Sequence, residues 1–232
     1  MAASKIDIEK IIDVKTLTYH WDEIEKIPEI AKLKECKQNP KWHGEGDAFV
    51  HTQKVCEAMV NLIRTKRQIS DDNRMVLMLS ALLHDVGKGT KTFFKEKDQN
   101  WHAYGHEFES ERIAREMLSD QDPALIESVA KLVRYHMEPL DIKKTKAKIQ
   151  KTFELSKKVS DEFNVYITKP RLKYYSSFYK LILLKLADVM GSEQEDKVSK
   201  EDDIMFLTKL MEFAQMAGIA HIFPDKYDFL LQ

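Results

Sequence analysis

With 232 residues, 43% hydrophobic and 32% charged, the chain can fill one sizeable core and is too apolar to stay disordered. Its net charge of -1 gives no overall pull toward nucleic acid or an anionic membrane, and no apolar run reaches the length of a bilayer span. Two cysteines exclude a disulfide framework, and the start MAASKIDIEKII lacks the apolar core of a signal peptide, so a cytoplasmic protein is expected.

Few glycines and prolines favour helices, and no repeat, low-complexity tract or Gly/Ser linker divides the chain. A single domain over 1–232 is expected, with a motif core at about 39–191 between an N-terminal extension (1–38) and a C-terminal helical extension (192–232). Residues 22–36 form a short amphipathic segment, and NPKWHGEG (39–46) reads as a loop. Asp47 can cap a helix to about Arg67, with Ala48, His51, Val55, Ala58 and Leu62 on one stripe. A second helix starts near Ser70–Asp71 and ends in ALLHDVGKG (81–89), whose glycines suit a left-handed helix stop. Residues 90–104 read as a polar loop. Gly105 opens a helix through Leu118, and Asp122–Pro123 starts another that ends before Pro139. The stretch 141–173 carries ten Lys and Arg against four acidic residues and runs into Tyr174, Tyr175, Phe178 and Tyr179. It reads as a solvated lysine face over core aromatics, with a rim for an RNA end as the alternative. A long helix from Arg171 to Met190 ends at Gly191, and the tail closes on HIFPDKYDFLLQ. The expected fold class is all-α.

Six polar residues sit where apolar ones belong. His51 lies on the stripe of the first helix; His84 and Asp85 follow Ala81, Leu82 and Leu83; His106 starts a helix; His136 completes the spacing Val129, Leu132, Val133. Asp188 closes LILLKLADVMG, at the negative end of a helix dipole and among apolar neighbours, where it must either be protonated or face a strong cation. Singly, each reads as a hydrogen-bonded core group. Together, four imidazoles and two carboxylates without cysteine point to one or two divalent metal ions: Mn, Fe, Ni, Co, Zn or Mg. Lys88 has two readings, pairing with the helix terminus or contacting a substrate phosphate. His43 and His102 read as surface residues, with His102 able to reach a phosphate from the polar loop. Glu107 reads as a first-turn acid favoured by the dipole, or as a partner orienting a ligand.

The order His51, His84–Asp85, Asp188 resembles the H…HD…D signature of HD-domain metal-dependent phosphohydrolases, and His106 and His136 resemble the extra histidines of its binuclear members. WHGEGDAFVHT, LLHDVGKG, YGHE and ADVMG are similar, in the same order, to strings in the HD domain of bacterial tRNA nucleotidyltransferases (CCA-adding enzymes). The resemblance implies an HD-domain helical bundle, here as a free-standing relative without CCA addition. It implies hydrolysis of a small-molecule phosphate ester or nucleotide, such as a 2′,3′-cyclic nucleotide or 2′-nucleotide. It places one ion on His51, His84, Asp85 and Asp188 and a second on Asp85, His106 and His136, with Asp85 and Lys88 in the catalytic machinery. HDVGKG departs from the HDxxED of ppGpp hydrolases and the HDxxE of 5′-deoxynucleotidases, and no GYP marks the cyclic-di-GMP branch. The alternatives are a nucleotide- or RNA-sensing module with a structural metal, and a diiron oxygenase on the same fold. Oligomeric state is open.

Overall fold

The computed structural model describes residues 3–65, 69–138 and 177–216. Four short elements come first: α1 (Ile8–Ile11), the two-stranded hairpin β1 (Ile12–Asp13) and β2 (Thr18–Tyr19), α2 (Trp21–Ile24) and α3 (Pro28–Ala31), followed by a 3₁₀ turn, Lys32–Glu35. The main helices are α4 (Ala48–Arg64), α5 (Asp71–Leu83), α7 (His106–Met117), α8 (Pro123–Tyr135), α9 (Ser177–Gly191) and α10 (Lys197–Met216). Between α5 and α7 lie one turn, α6 (Lys88–Lys91), and the hairpin β3 (Phe93–Lys95) and β4 (Asn100–His102). Among the described residues the fold is all-α apart from the two small hairpins.

Side-chain caps set the starts of three of the helices that carry the inward polar residues. Asp47 accepts the Val50 N–H at 2.9 Å, Ser70 accepts that of Asn73 at 3.4 Å, and Asp122 accepts that of Ala124 at 2.8 Å, with Pro123 at the first helical position. The core then forms where α4, α5, α8 and α9 meet, through Val55, Met59, Leu77, Leu82, Val129, Val133, Leu181 and Leu184, all fully buried. Burying each large aliphatic side chain contributes about 1.5–3 kcal/mol. α9 lies so close on α4 that a Cβ at Gly191 would meet Val55 Cγ2 at 2.7 Å and Val55 N at 2.8 Å.

Several local expectations change. The first helix ends at Arg64, and 66–68 lie outside the described residues. The polar loop 90–104 contains the β3–β4 hairpin, with Phe93 opposite His102 and Lys95 opposite Asn100. Gly87 is right-handed, at φ -68°, so relief of a left-handed stop does not explain it. A Cβ there would meet His106 O at 2.4 Å and Ser110 N at 2.6 Å: Gly87 is the point where the turn after α5 touches α7. The basic stretch 141–173 and the terminal HIFPDKYDFLLQ lie outside the described residues, while Tyr179 is a buried core residue.

Candidate metal centre

Five helix ends converge on one point. His51 comes from the first turn of α4, His84 and Asp85 from the end of α5, and His106 from the start of α7; His136 follows α8, and Asp188 lies in the last turn of α9. The last carbonyls of a helix have no partner in their own helix, and two of them are used here to hold rings. His84 Nδ1 donates to Ala81 O at 2.9 Å and His136 Nδ1 to Val133 O at 2.6 Å; His106 Nδ1 donates to Ala103 O, just ahead of α7, at 2.7 Å. Each contact puts the ring proton on Nδ1 and leaves Nε2 as a lone pair facing inward.

The lone pairs and carboxylates meet at short range. On one side, Asp85 Oδ2 lies 3.3 Å from His84 Nε2 and 3.7 Å from His51 Nε2. Asp188 Oδ1 lies 3.0 Å from His51 Nε2 and 3.9 Å from His84 Nε2. On the other side, Asp85 Oδ1 lies 3.0 Å from His106 Nε2 and 3.7 Å from His136 Nε2, and the two Nε2 atoms are 3.3 Å apart. Neutral rings protonated at Nδ1 present lone pair to lone pair there, an arrangement that a cation relieves. His84 Nε2 is buried with no hydrogen-bond partner among the described residues. Uncompensated buried acceptors are costly, so this donor set fits a divalent ion.

Electrostatics follow the geometry. Burial opposes ionisation of Asp85, but the surrounding His84, Lys88, His106 and His136 hold it well below the usual carboxylate range. Asp188 also lies below that range: burial opposes its ionisation, and the hydrogen bond with His51 outweighs it. The cation that Asp188 needs is His51, whose pKa is raised to about 9 because a hydrogen bond to Asp188 and the close Glu45 carboxylate overcome burial. His136 goes the other way, lowered to about 4 chiefly by burial.

Lys88 is not a helix-terminus pairing. It begins α6, and its ammonium turns inward to Asp85 Oδ2 at 2.7 Å and Gln38 Oε1 at 2.6 Å. It borders a cleft of about 420 Å³ whose floor includes Asp85, His136 and Asp188. Trp42 (46% exposed) and Tyr104 (61% exposed) stand on its walls, with the His102 ring stacked on Tyr104 at 4.8 Å. Lys41 lies over the Trp42 ring at 4.8 Å and Lys95 over Tyr104 at 5.6 Å.

His43 is a cleft residue rather than a surface one, its ring 4.6 Å from His51 and its Nδ1 2.8 Å from Glu45. His102 also lines the cleft, held by Asp98 at 3.0 Å on strand β4. Glu107 lines the same cleft, with Oε2 3.9 Å from His106 Nδ1. Two contributors escaped sequence reasoning. Glu45, a half-buried residue with its side chain turned inward, places Oε1 2.7 Å from His51 Nδ1 and accepts the Glu193 N–H at 2.7 Å. Its signal was an acid between two glycines just ahead of a His-bearing helix. Gln38 carried no such signal.

A family profile described as the HD domain matches residues 48–191, more than half of the chain. A multifunctional CCA protein of Pasteurella multocida (strain Pm70) is 28% identical over 210 residues, 87% of this chain and 43% of that protein. A multifunctional CCA protein of Actinobacillus pleuropneumoniae serotype 5b (strain L20) is 37% identical over 91 residues, 39% of this chain and 20% of that protein. The chain thus spans less than half the length of these relatives. No solved structure matches. HD domains form a superfamily of metal-dependent hydrolases, and no described helix is long and apolar enough to cross a membrane. The matched span runs through the helices that bring His51, His84, Asp85 and Asp188 to one centre, and the chain belongs to the HD domain family.

Proposed function

We propose that the protein is a metal-dependent phosphohydrolase acting on nucleotide-type phosphate esters. The observation that carries this reading is the sharing of Asp85: one buried carboxylate faces two histidines with each oxygen, at the floor of a cleft that also holds a lysine. His51, His84, Asp188 and Asp85 Oδ2 would hold one ion, and Asp85 Oδ1, His106 and His136 a second. Bound there, such ions supply Lewis-acid charge and lower the pKa of a water. The reaction adds the oxygen of water to phosphorus and breaks the ester P–O bond, and the leaving alcohol takes up a proton.

The chain's own groups do the rest. Three imidazoles are fixed by backbone carbonyls and His51 is braced by Glu45, so these four rings need not reorganise during turnover. Lys88 would place its ammonium on the phosphoryl oxygens, where negative charge grows. Trp42, Tyr104 and His102 offer stacking faces to a base, and nearby lysines favour the anion. These walls favour a nucleotide or an RNA end over a small aliphatic phosphate.

The test strips the protein with a chelator, reloads it with Mn, Fe, Ni, Co, Zn or Mg, and offers p-nitrophenyl phosphoesters, 2′-nucleotides and 2′,3′-cyclic nucleotides. Ion-dependent release of phosphate or nucleotide is expected, fastest on the nucleotides. Full metal loading with no ester hydrolysed would leave a binding module instead.

A further inference from the structure

Gln38 lies ten residues ahead of the family-matched span, yet its side chain reaches the floor of the cleft. Its backbone is pinned: the Ala48 N–H donates to Cys36 O at 3.0 Å, and Lys37 bridges Asp47 in antiparallel fashion. The residue is only 8% exposed. A lysine ammonium can only donate, so Gln38 must turn its carbonyl oxygen to Lys88, at 2.6 Å. The amide nitrogen therefore faces elsewhere. It is buried and has no hydrogen-bond partner among the described residues. A buried donor left unpaired is uncommon in a native fold and calls for a ligand or an ordered water.

Lys88 sharpens the choice. Its other contact, Asp85 Oδ2, also faces His51 and His84, so an ion in that basket competes with the ammonium for the same oxygen. Gln38 supplies Lys88 with an uncharged acceptor that no ion claims. Gln38 and Lys88 both line the cleft, so the ammonium and the unused amide N–H, buried just behind its surface, form a pair suited to an anionic oxygen. We propose that Gln38 is a substrate-contacting residue that seats Lys88 through its carbonyl and donates its amide N–H to a non-bridging oxygen of the phosphate ester. The inference rests on the phosphohydrolase reading, and its first test does not require turnover.

The full chain, loaded with diamagnetic Zn or Mg, is titrated with inorganic phosphate while the side-chain amide pair of Gln38 is followed by NMR; the pair is assigned by its absence in Gln38→Glu. A saturable shift of that pair is expected. A stationary pair while other cleft signals move would overturn the proposal and leave the amide to water. Kinetically, Gln38→Met should lose on the order of 10–100-fold in kcat/KM, the worth of a hydrogen bond to a charged group, with metal content unchanged. Gln38→Glu keeps an oxygen for Lys88 and removes the donor, so it should be equally impaired. Wild-type rates in Gln38→Glu would reduce the residue to a clamp for Lys88 and overturn the donor role. Should the wild type hydrolyse no ester while phosphate still shifts the amide, the phosphohydrolase reading falls and the anion contact of Gln38 stands.

Discussion

The two oxygens of Asp85 divide the cluster into halves of unequal charge. Around Oδ2 stand His51, His84, the second carboxylate Asp188 and the ammonium of Lys88. Around Oδ1 stand His106 and His136. The Oδ2 half offers a cation two anionic groups, the Oδ1 half one. Protonation follows the same division: His51 is raised to about 9 by hydrogen bonds that overcome burial, and burial lowers His136 to about 4. In the first half a proton does part of a cation's work. In the second, two imidazoles have only a shared carboxylate oxygen. By the count of carboxylates, the Oδ2 half is expected to be the tighter seat, and the shared carboxylate to couple the two.

The most drastic way to break the comparison is to remove what the halves share. Asp85→Ala should abolish metal binding and hydrolysis together, read by elemental analysis and ester turnover. Wild-type metal content in this variant would sink the shared-carboxylate arrangement. His106→Ala and His136→Ala should each lose the ion of the Oδ1 half and keep the other; a variant that empties both halves would deny their independence. Lys88→Ala touches only the Oδ2 half. It should keep metal content and lower kcat on the order of 10²–10³-fold, as for loss of one donor at a developing charge. Near-normal turnover at full metal occupancy would remove Lys88 from the chemistry.

The residues of the cluster, though not its asymmetry, were legible in the sequence. The six polar residues stood out because each occupied an apolar register or a helix end, and the capped starts at Asp47, Ser70 and Asp122 fixed the helices that carry most of them. What stayed hidden acts across long separations or in short elements. Glu45 meets His51 from a loop, and Gln38 meets Lys88 fifty positions away, so helical periodicity speaks to neither. The strands Phe93–Lys95 and Asn100–His102 are three residues each, too short for period-two alternation to show. Gly87 and Gly191 resemble helix stops in sequence, yet both are set by the backbone of another helix.

Glu45→Gln sharpens the comparison at intermediate scale. Glu45 holds the Nδ1 side of His51 and has no contact with the Oδ1 half, and hydrogen-bonded partners of metal ligands typically govern about 10–100-fold in affinity. The tighter ion should weaken by that factor in a competition titration, with the second altered only through Asp85. Equal weakening of both ions would mean that the halves act as one site.

The smallest effect is the most direct reading of the asymmetry, because the halves should titrate in opposite directions in chelator-treated protein. His51, raised from 6.5 to about 9, binds its proton more tightly in the folded chain; its stabilisation is full below about pH 6.5 and is lost as pH rises through 9. His136, lowered from 6.5 to about 4, binds its proton more weakly when folded and costs stability as pH falls from 6.5 toward 4. Tm of metal-free protein should therefore fall on both sides of neutrality, with His51→Gln flattening the alkaline limb and His136→Gln easing the acid one. Adding metal at pH 7.5 reads the same difference as protons. The ion of the Oδ2 half must displace the His51 proton and should release about one, whereas the ion of the Oδ1 half meets a neutral His136 and displaces none from it. A pH indicator in weakly buffered solution follows both steps. Proton release confined to the second equivalent would reverse the order of the halves and place the tighter ion on His106 and His136.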